Sequence, residues 1–302
     1  MITRDQAIVL LEPRLSAIWR DPHAQQPTEY TAFLNVGSTK KATVTDYKMT
    51  DFGALRLKPE GENIIYDDPI FGPTKEYSPV RWGLGYKITQ EWIDHELYGQ
   101  VSKFERGLMK SATDLQETTG ALLLNNAFVT TNADGFTAAG FDGLALCSTA
   151  HTRLDGGGTI RNRPSTDIDL GVTALSSALV DFDNLVDDRG RPINVRPKLL
   201  IISPEDRFTA KELLQSEYKP GTANNEINAL TGEGLSFMVS HYKTDTDAWF
   251  LFANQHDARF IWDVQPRGGM ENDFDAEIVK RKVVQGFIVG HGEWRGIWGT
   301  SG

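Results

Sequence analysis

The feature that most constrains this chain is a run of thirty-eight residues, 90–127, without a proline. Within it apolar or small residues recur in steps of three and four: Ile93, Leu97, Val101, Phe104, Leu108, Ala112, Leu115, Thr119 and Leu122. Such spacing lays one stripe along an α-helix. Thr89 stands where an N-cap belongs, and Glu91 suits the positive end of the helix dipole. At ~1.5 Å per residue the run predicts a rod of roughly 57 Å, where the mean globular helix has only about 11 to 12 residues. Gly99, Gly107 and Gly120 each cost about 1 kcal/mol relative to alanine, and they read as close contacts or gentle bends. The stripe is not a uniform heptad, so the helix reads as a core-packing spine rather than a coiled coil.

Before the rod the pattern is different. Ile8, Leu11, Leu15, Ala17, Ile18 and Trp19 predict an N-terminal helix interrupted at Pro13, and the polar stretch 21–28 predicts a linker behind it. That helix is then an arm, separate from the core. Residues 45–88 carry no helical period. Leu55-Arg56-Leu57-Lys58 alternates, 59–63 breaks, and Ile64-Ile65-Tyr66 resumes before further turns at 67–69 and 72–73. Val80, Trp82, Leu84, Tyr86 and Ile88 then alternate with Arg81, Gly83, Gly85 and Lys87, which predicts a half-buried strand. The segment reads as a long β excursion with charges at its distal end, and an excursion of this length is generally functional or an interaction element.

After the rod, 129–165 is irregular and centred on Gly156-Gly157-Gly158. Thr166 or Asp167 then caps a predicted helix reaching about Val186, Lys198 to Ile202 predicts a buried strand, and Ser203-Pro204 starts a helix to about Ser216. Strands are predicted over 236–240, 249–252, 259–264 and 276–289, followed by a Gly/Trp tail. Helices and strands do not alternate as βαβ units, so the class is α+β.

Chemistry is sparse along this chain. The net charge of −10 argues against tight binding of nucleic-acid phosphate or an anionic membrane. The single cysteine, Cys147, cannot form an intrachain disulfide, which suits a reducing compartment such as the cytoplasm. No stretch reaches the ~18 to 20 apolar residues of a membrane helix, and Ala7 to Leu11 is too short for a signal peptide. Cys147 and His151 lie four apart, but no second pair stands at metal-ligand spacing. The Asp-x-Asp pairs at 167/169, 181/183, 245/247 and 273/275 do not continue into calcium loops and read as caps and turns. The glycine triplet lacks the flanking strand, helix and Lys-Ser/Thr of a phosphate cradle. No catalytic, cofactor-binding or metal site is predicted.

An arm, a charged β excursion, a very long helix and an α+β unit returning by a long strand resemble, in that order, the Hong Kong 97-type fold of tailed-phage major capsid proteins. Local words narrow the resemblance to the Mu-like major head subunits: Ala145-Leu-Cys-Ser-Thr-Ala-His151 followed by Asn162-Arg-Pro164, then Val186 to Gly190 leading to Arg196 to Leu200, Pro220 to Asn228, and Trp294 to Gly299. The wording covers roughly 120–302; the first 120 residues match in architecture. The resemblance implies an N-arm at 1–44, an extended loop at 45–88 and a peripheral domain at 89–165 with its spine at 90–127. It also implies an axial domain at 166–265 and a return strand and tail at 266–302. Function is then expected to be self-assembly, through hexamers and pentamers, into an icosahedral virion shell built in the host cytoplasm around double-stranded DNA. Scaffolding, portal and decoration proteins are the implied partners, with no membrane and no cofactor. The expected intersubunit contacts on the extended loop are Arg56, Lys58, Glu60, Glu62, Asp67, Asp68, Lys75 and Glu76. An encapsulin-type compartment would share the fold, and an enzyme would need a convergent polar pocket that the sequence does not show.

Overall fold

A computed structural model describes residues 27–89, 91–92, 98–218, 227–273 and 275–302. In chain order the strands β1 (Asn35–Ser38), β2 (Val44–Met49), β3 (Phe71–Tyr77) and β4 (Val80–Thr89) precede helix α1 (Tyr98–Asn125). Three short strands follow, β5 (Phe136–Thr137), β6 (His151–Thr152) and β7 (Thr159–Ile160). Then come α2 (Val172–Asp183), β8 (Pro197–Ile202), α3 (Arg207–Gln215), β9 (Ser236–Val239) and β10 (Trp249–Ala253). The chain closes with β11 (Ala258–Asp273), β12 (Ile278–His291) and β13 (Ile297–Thr300).

Two sheets carry the architecture. One has the order β1-β11-β12-β4, with β5 alongside β12; the other runs β13-β10-β8-β9. β11 and β12 form a long antiparallel ribbon whose register shifts between Trp262 and Val264 and again before Arg267. Such shifts bend a ribbon and sharpen its twist. β10 is buried along its whole length, consistent with its Trp-Phe-Leu-Phe-Ala sequence in the middle of a covered sheet. One continuous apolar core joins both sheets to the C-terminal half of α1 and to α2 and α3. Aromatic contacts run through it: Tyr30 stacks on Phe260 at 4.5 Å, Phe260 on Phe287 at 4.6 Å, and Trp82 lies 4.4 Å from Phe287.

α1 is a long spine laid on β12, as its periodicity requires, but its buried face is rotated from the predicted stripe. Val101, Leu108 and Ala112 are buried, whereas Phe104 is 39% exposed and stacks on Trp92 at 5.6 Å. Polar residues fill the gap. Glu105 is fully buried and receives Arg281 Nη2 at 3.0 Å, while Gln116 Nε2 donates to Gln285 Oε1 at 2.9 Å. β12 presents those partners, so two polar positions on the helix are core positions. Of the glycines, Gly120 marks a close contact, since a Cβ there would lie 2.7 Å from the Cβ of Tyr30. Gly107 has open space beside it. Ile93, Leu97, the N-terminal helix at 8–19 and most of its linker lie outside the described residues.

Several boundaries differ from the sequence reading. α2 begins at Val172 rather than at 166 or 167, because Asp167 is engaged by Arg163 Nε at 2.9 Å and by the Thr300 hydroxyl at 3.2 Å. α3 begins at Arg207, since the Ser203 hydroxyl donates to the Thr246 carbonyl instead of capping. The tail contains β13, which pairs with β10. Thr89 closes β4, and β4 pairs with β12 over its whole length, so this strand is part of the main sheet. The excursion proper is the stretch from β2 to β3.

Candidate intersubunit surface

β2 and β3 pair only with each other, with Val44 opposite Tyr77 and Met49 opposite Phe71. The root of this ribbon is fixed to the body by charge. Asp46 pairs with Arg259, and Lys48 Nζ sits 3.2 Å from Asp188 and 2.9 Å from Glu293. Arg295 bridges the same two carboxylates at 3.2 and 2.9 Å. Four side chains of alternating sign thus share one partly buried site, where mutual neutralisation offsets part of their desolvation.

Beyond the root, 51–70 contains no strand. Leu55 to Lys58 and Ile64 to Tyr66, read from their sequence as strand-like, make no ladder; the loop turns at Gly61, which takes the left-handed φ of 84° that favours glycine. Three contacts fold the loop onto its base. Thr50 N donates to the Ile70 carbonyl at 3.0 Å, Gly53 N to Asp67 Oδ2 at 2.6 Å, and Arg189 Nη2 to the Asp68 carbonyl at 2.6 Å. The Gly53 N–H, and secondarily the Arg189 guanidinium at 3.1 Å, hold the Asp67 carboxyl below its ordinary value.

The loop encloses a hollow of about 540 Å³ lined by Leu55, Leu57, Ile64, Ile65, Tyr66 and Arg189, among others. Leu55 is fully exposed, and Leu57 and Tyr66 are more than nine-tenths exposed. This apolar set was visible in the sequence as alternation, and the period-2 pattern pointed to a strand instead of an uncovered patch. Contiguous exposed apolar surface of this kind marks interaction sites.

The predicted contact residues divide. Arg56, Lys58, Glu60 and Glu62 are exposed on the loop and make no ion pair among the described residues. Glu76 is exposed on β3. Asp67 and Asp68 are exposed as well. The Asp67 carboxylate pairs with Arg189 of the same chain, whereas Asp68 gives Arg189 only its backbone carbonyl and its carboxylate makes no ion pair among the described residues. Lys75 does not belong to the exposed set: it is buried, donates to the Ala139 and His291 carbonyls, and lies 5.0 Å from the Tyr77 ring centre. The alternation of β3 turns both Lys75 and Tyr77 inward. Burial pushes the Lys75 ammonium down to about 8 and the imidazole of His291 well below its usual value.

The other chemical candidates are structural. His151 is buried, with Nδ1 2.6 Å from Asp142 Oδ2 and Nε2 3.0 Å from Asn162 Oδ1, and it stacks on Trp294 at 4.2 Å. Cys147 is buried, and burial pushes its thiol up. The glycine triplet follows Arg153 and Asp155 in the β6–β7 turn, and Asp245 accepts from Asp247 N at 3.1 Å to make a turn. Among the described residues no group of three His, Cys, Asp or Glu side chains is placed to hold a metal, and no helix is long and apolar enough to cross a membrane.

Comparison with known proteins agrees with this architecture. Solved structures share the fold over nearly the whole chain. One from Microbacterium phage Oxtober96 has a TM-score of 0.54 at 12% identity, covering 99% of each chain. The capsid of cyanophage P-SCSP1u gives 0.60 at 10% identity, over 91% of this chain and 88% of the other. The capsid of a native GTA particle gives 0.57 at 11%, over 91% and 93%. No curated protein sequence matches. The family model described as phage capsid protein matches residues 72–299, three quarters of the sequence, and the chain therefore belongs to the phage capsid protein family.

Proposed function

We propose that this protein is the major head subunit of a tailed phage or prophage, of the Mu-like group within the Hong Kong 97-type fold. Copies assemble through hexamers and pentamers into an icosahedral shell enclosing double-stranded DNA, and the subunit itself catalyses nothing. The observation that carries the reading is the apolar tip of the 51–70 loop, uncovered within its own chain, on a member of a capsid family. Ordering an exposed loop costs about 1–2 kcal/mol per residue, and burial of Leu55, Leu57 and Tyr66 against a neighbour offsets part of that cost. Tyr30, Phe33 and Leu34 are buried in the core and β1 joins the main sheet, so of the expected 1–44 arm only the part before Tyr30 keeps that role. α1 acts as the spine of a peripheral domain, and the four-stranded sheet with α2 and α3, including β13 from the expected 266–302 tail, as the axial domain. The net charge of −10 suits a wall that contains a genome without gripping it. Scaffolding and portal proteins are the partners this role calls for, with a decoration protein as an optional addition.

Negative-stain microscopy of the protein expressed with its scaffold tests the reading. Closed shells are expected; a protein that stays monomeric under those conditions would contradict it.

A further inference from the structure

Two faces of the four-stranded sheet's helices carry charge of opposite sign beside exposed apolar side chains. α2 lies over the β13–β10 side of that sheet, where Trp298 Nε1 donates to Asp181 Oδ2 at 3.2 Å and Trp249 Nε1 to the Ile168 carbonyl at 3.1 Å. Its outward stripe is Val172, Ser176, Val180 and Asp183, one step of four or three apart, with Asp169 just before the helix. α3 lies at the other side, crossing between the parallel strands β8 and β9, and β9 is the edge of the sheet. Arg207, Phe208, Lys211 and Gln215 of α3 line a shallow hollow of about 360 Å³ with Phe237 of β9. Phe208 is 73% exposed and Val180 56%. Asp169, Asp183, Arg207 and Lys211 make no ion pair among the described residues.

We propose that a second copy of this chain occupies the α3–β9 hollow, seating the Val180 and Asp183 stripe of its α2 against Phe208, Arg207 and Lys211. Charge decides the occupant. The hollow lining carries only positive charge, Arg207 and Lys211, and so does not complement itself, whereas the unpaired Asp183 at the end of the α2 stripe does complement it. The two faces lie at opposite edges of one sheet. A contact between unlike patches is heterologous, and it propagates head to tail until the rotation closes a ring. The inference rests on the assembly reading above and specifies a contact within it.

Charge exchange tests this contact. Lys211→Asp and Asp183→Lys are each expected to leave circular dichroism and melting unchanged, because both residues are exposed, and to lower the assembled fraction seen by sedimentation. The double variant should regain assembly, since the exchanged pair again attracts. Combining Val180→Cys with Phe208→Cys should give a disulfide ladder of rising subunit number on non-reducing gels, with buried Cys147 not competing. Single variants that assemble like the wild type, a double variant that stays impaired, or the lack of a ladder would each overturn the contact while wild-type shells leave the assembly reading standing. A wild type that remains monomeric would overturn both.

Discussion

Glu105 and Arg281 show how much of this protein depends on single buried residues. The pair is almost completely removed from water, and Tyr86 adds a hydrogen bond to Glu105 at 2.8 Å. Removing one partner strands a charge, which typically costs about 3–5 kcal/mol, whereas replacing both by apolar groups is often close to neutral. Arg281→Met is therefore expected to lower unfolding stability in urea by that amount, and Glu105→Leu added to it should restore much of the loss. Lys75 makes a second residue-scale prediction. Its folded value of about 8 lies below the ordinary 10.5, so between those limits the unfolded chain binds more protons. Stability then rises with pH across that window, by at most about 1.4 kcal/mol per pH unit. Lys75→Met should flatten that rise, measured as chemical-melt stability at pH 8, 9 and 10; an unchanged slope would contradict the buried position. None of this was legible from residue type. Lys75 reads as one more charge on a charged excursion, and only the pairing of β3 shows that it points inward. Glu105 and Gln116 read as the wet side of a helix because their partners, Arg281 and Gln285, lie about 170 residues away.

At the scale of elements the outcome is sharper. α1 was legible because a long helix repeats its signal many times, and the strand Val80–Thr89 because it alternates cleanly. Helix starts were less legible, since Asp167 and Ser203 have partners elsewhere that compete with capping. The loop at 51–70 misled because an uncovered apolar patch and a half-buried strand share one pattern. Two element-scale predictions follow from the packing. Leu108 is buried in mid-helix, so Leu108→Pro should abolish folding, through a backbone cost of about 3 kcal/mol or more and the lost core contacts. Soluble protein with native circular dichroism would contradict the spine. Replacing residues 55–66 with a short Gly/Ser linker should instead leave melting nearly unchanged. The cut spares Lys48, Asp67, Lys75 and Arg189, which hold the ribbon root. A large drop in melting temperature would show that the loop belongs to the subunit's own core.

For the whole molecule, one core joins both sheets and the spine, while the uncovered surfaces lie at the periphery: the loop tip, the α2 stripe and the α3 hollow. A chain that buries its interior well and leaves several apolar patches open is built to be covered by neighbours. Individual exposed ion pairs contribute only about 0–1 kcal/mol, so no single reversal among Arg56, Lys58, Glu60 and Glu62 should prevent assembly, whereas removal of the whole tip should. The most direct measurement is microscopy and sedimentation of wild type and the 55–66 replacement, each expressed with its scaffold. The account predicts closed shells from the wild type and folded, unassembled subunits from the replacement. Normal shells from the replacement, or none from the wild type, would contradict it.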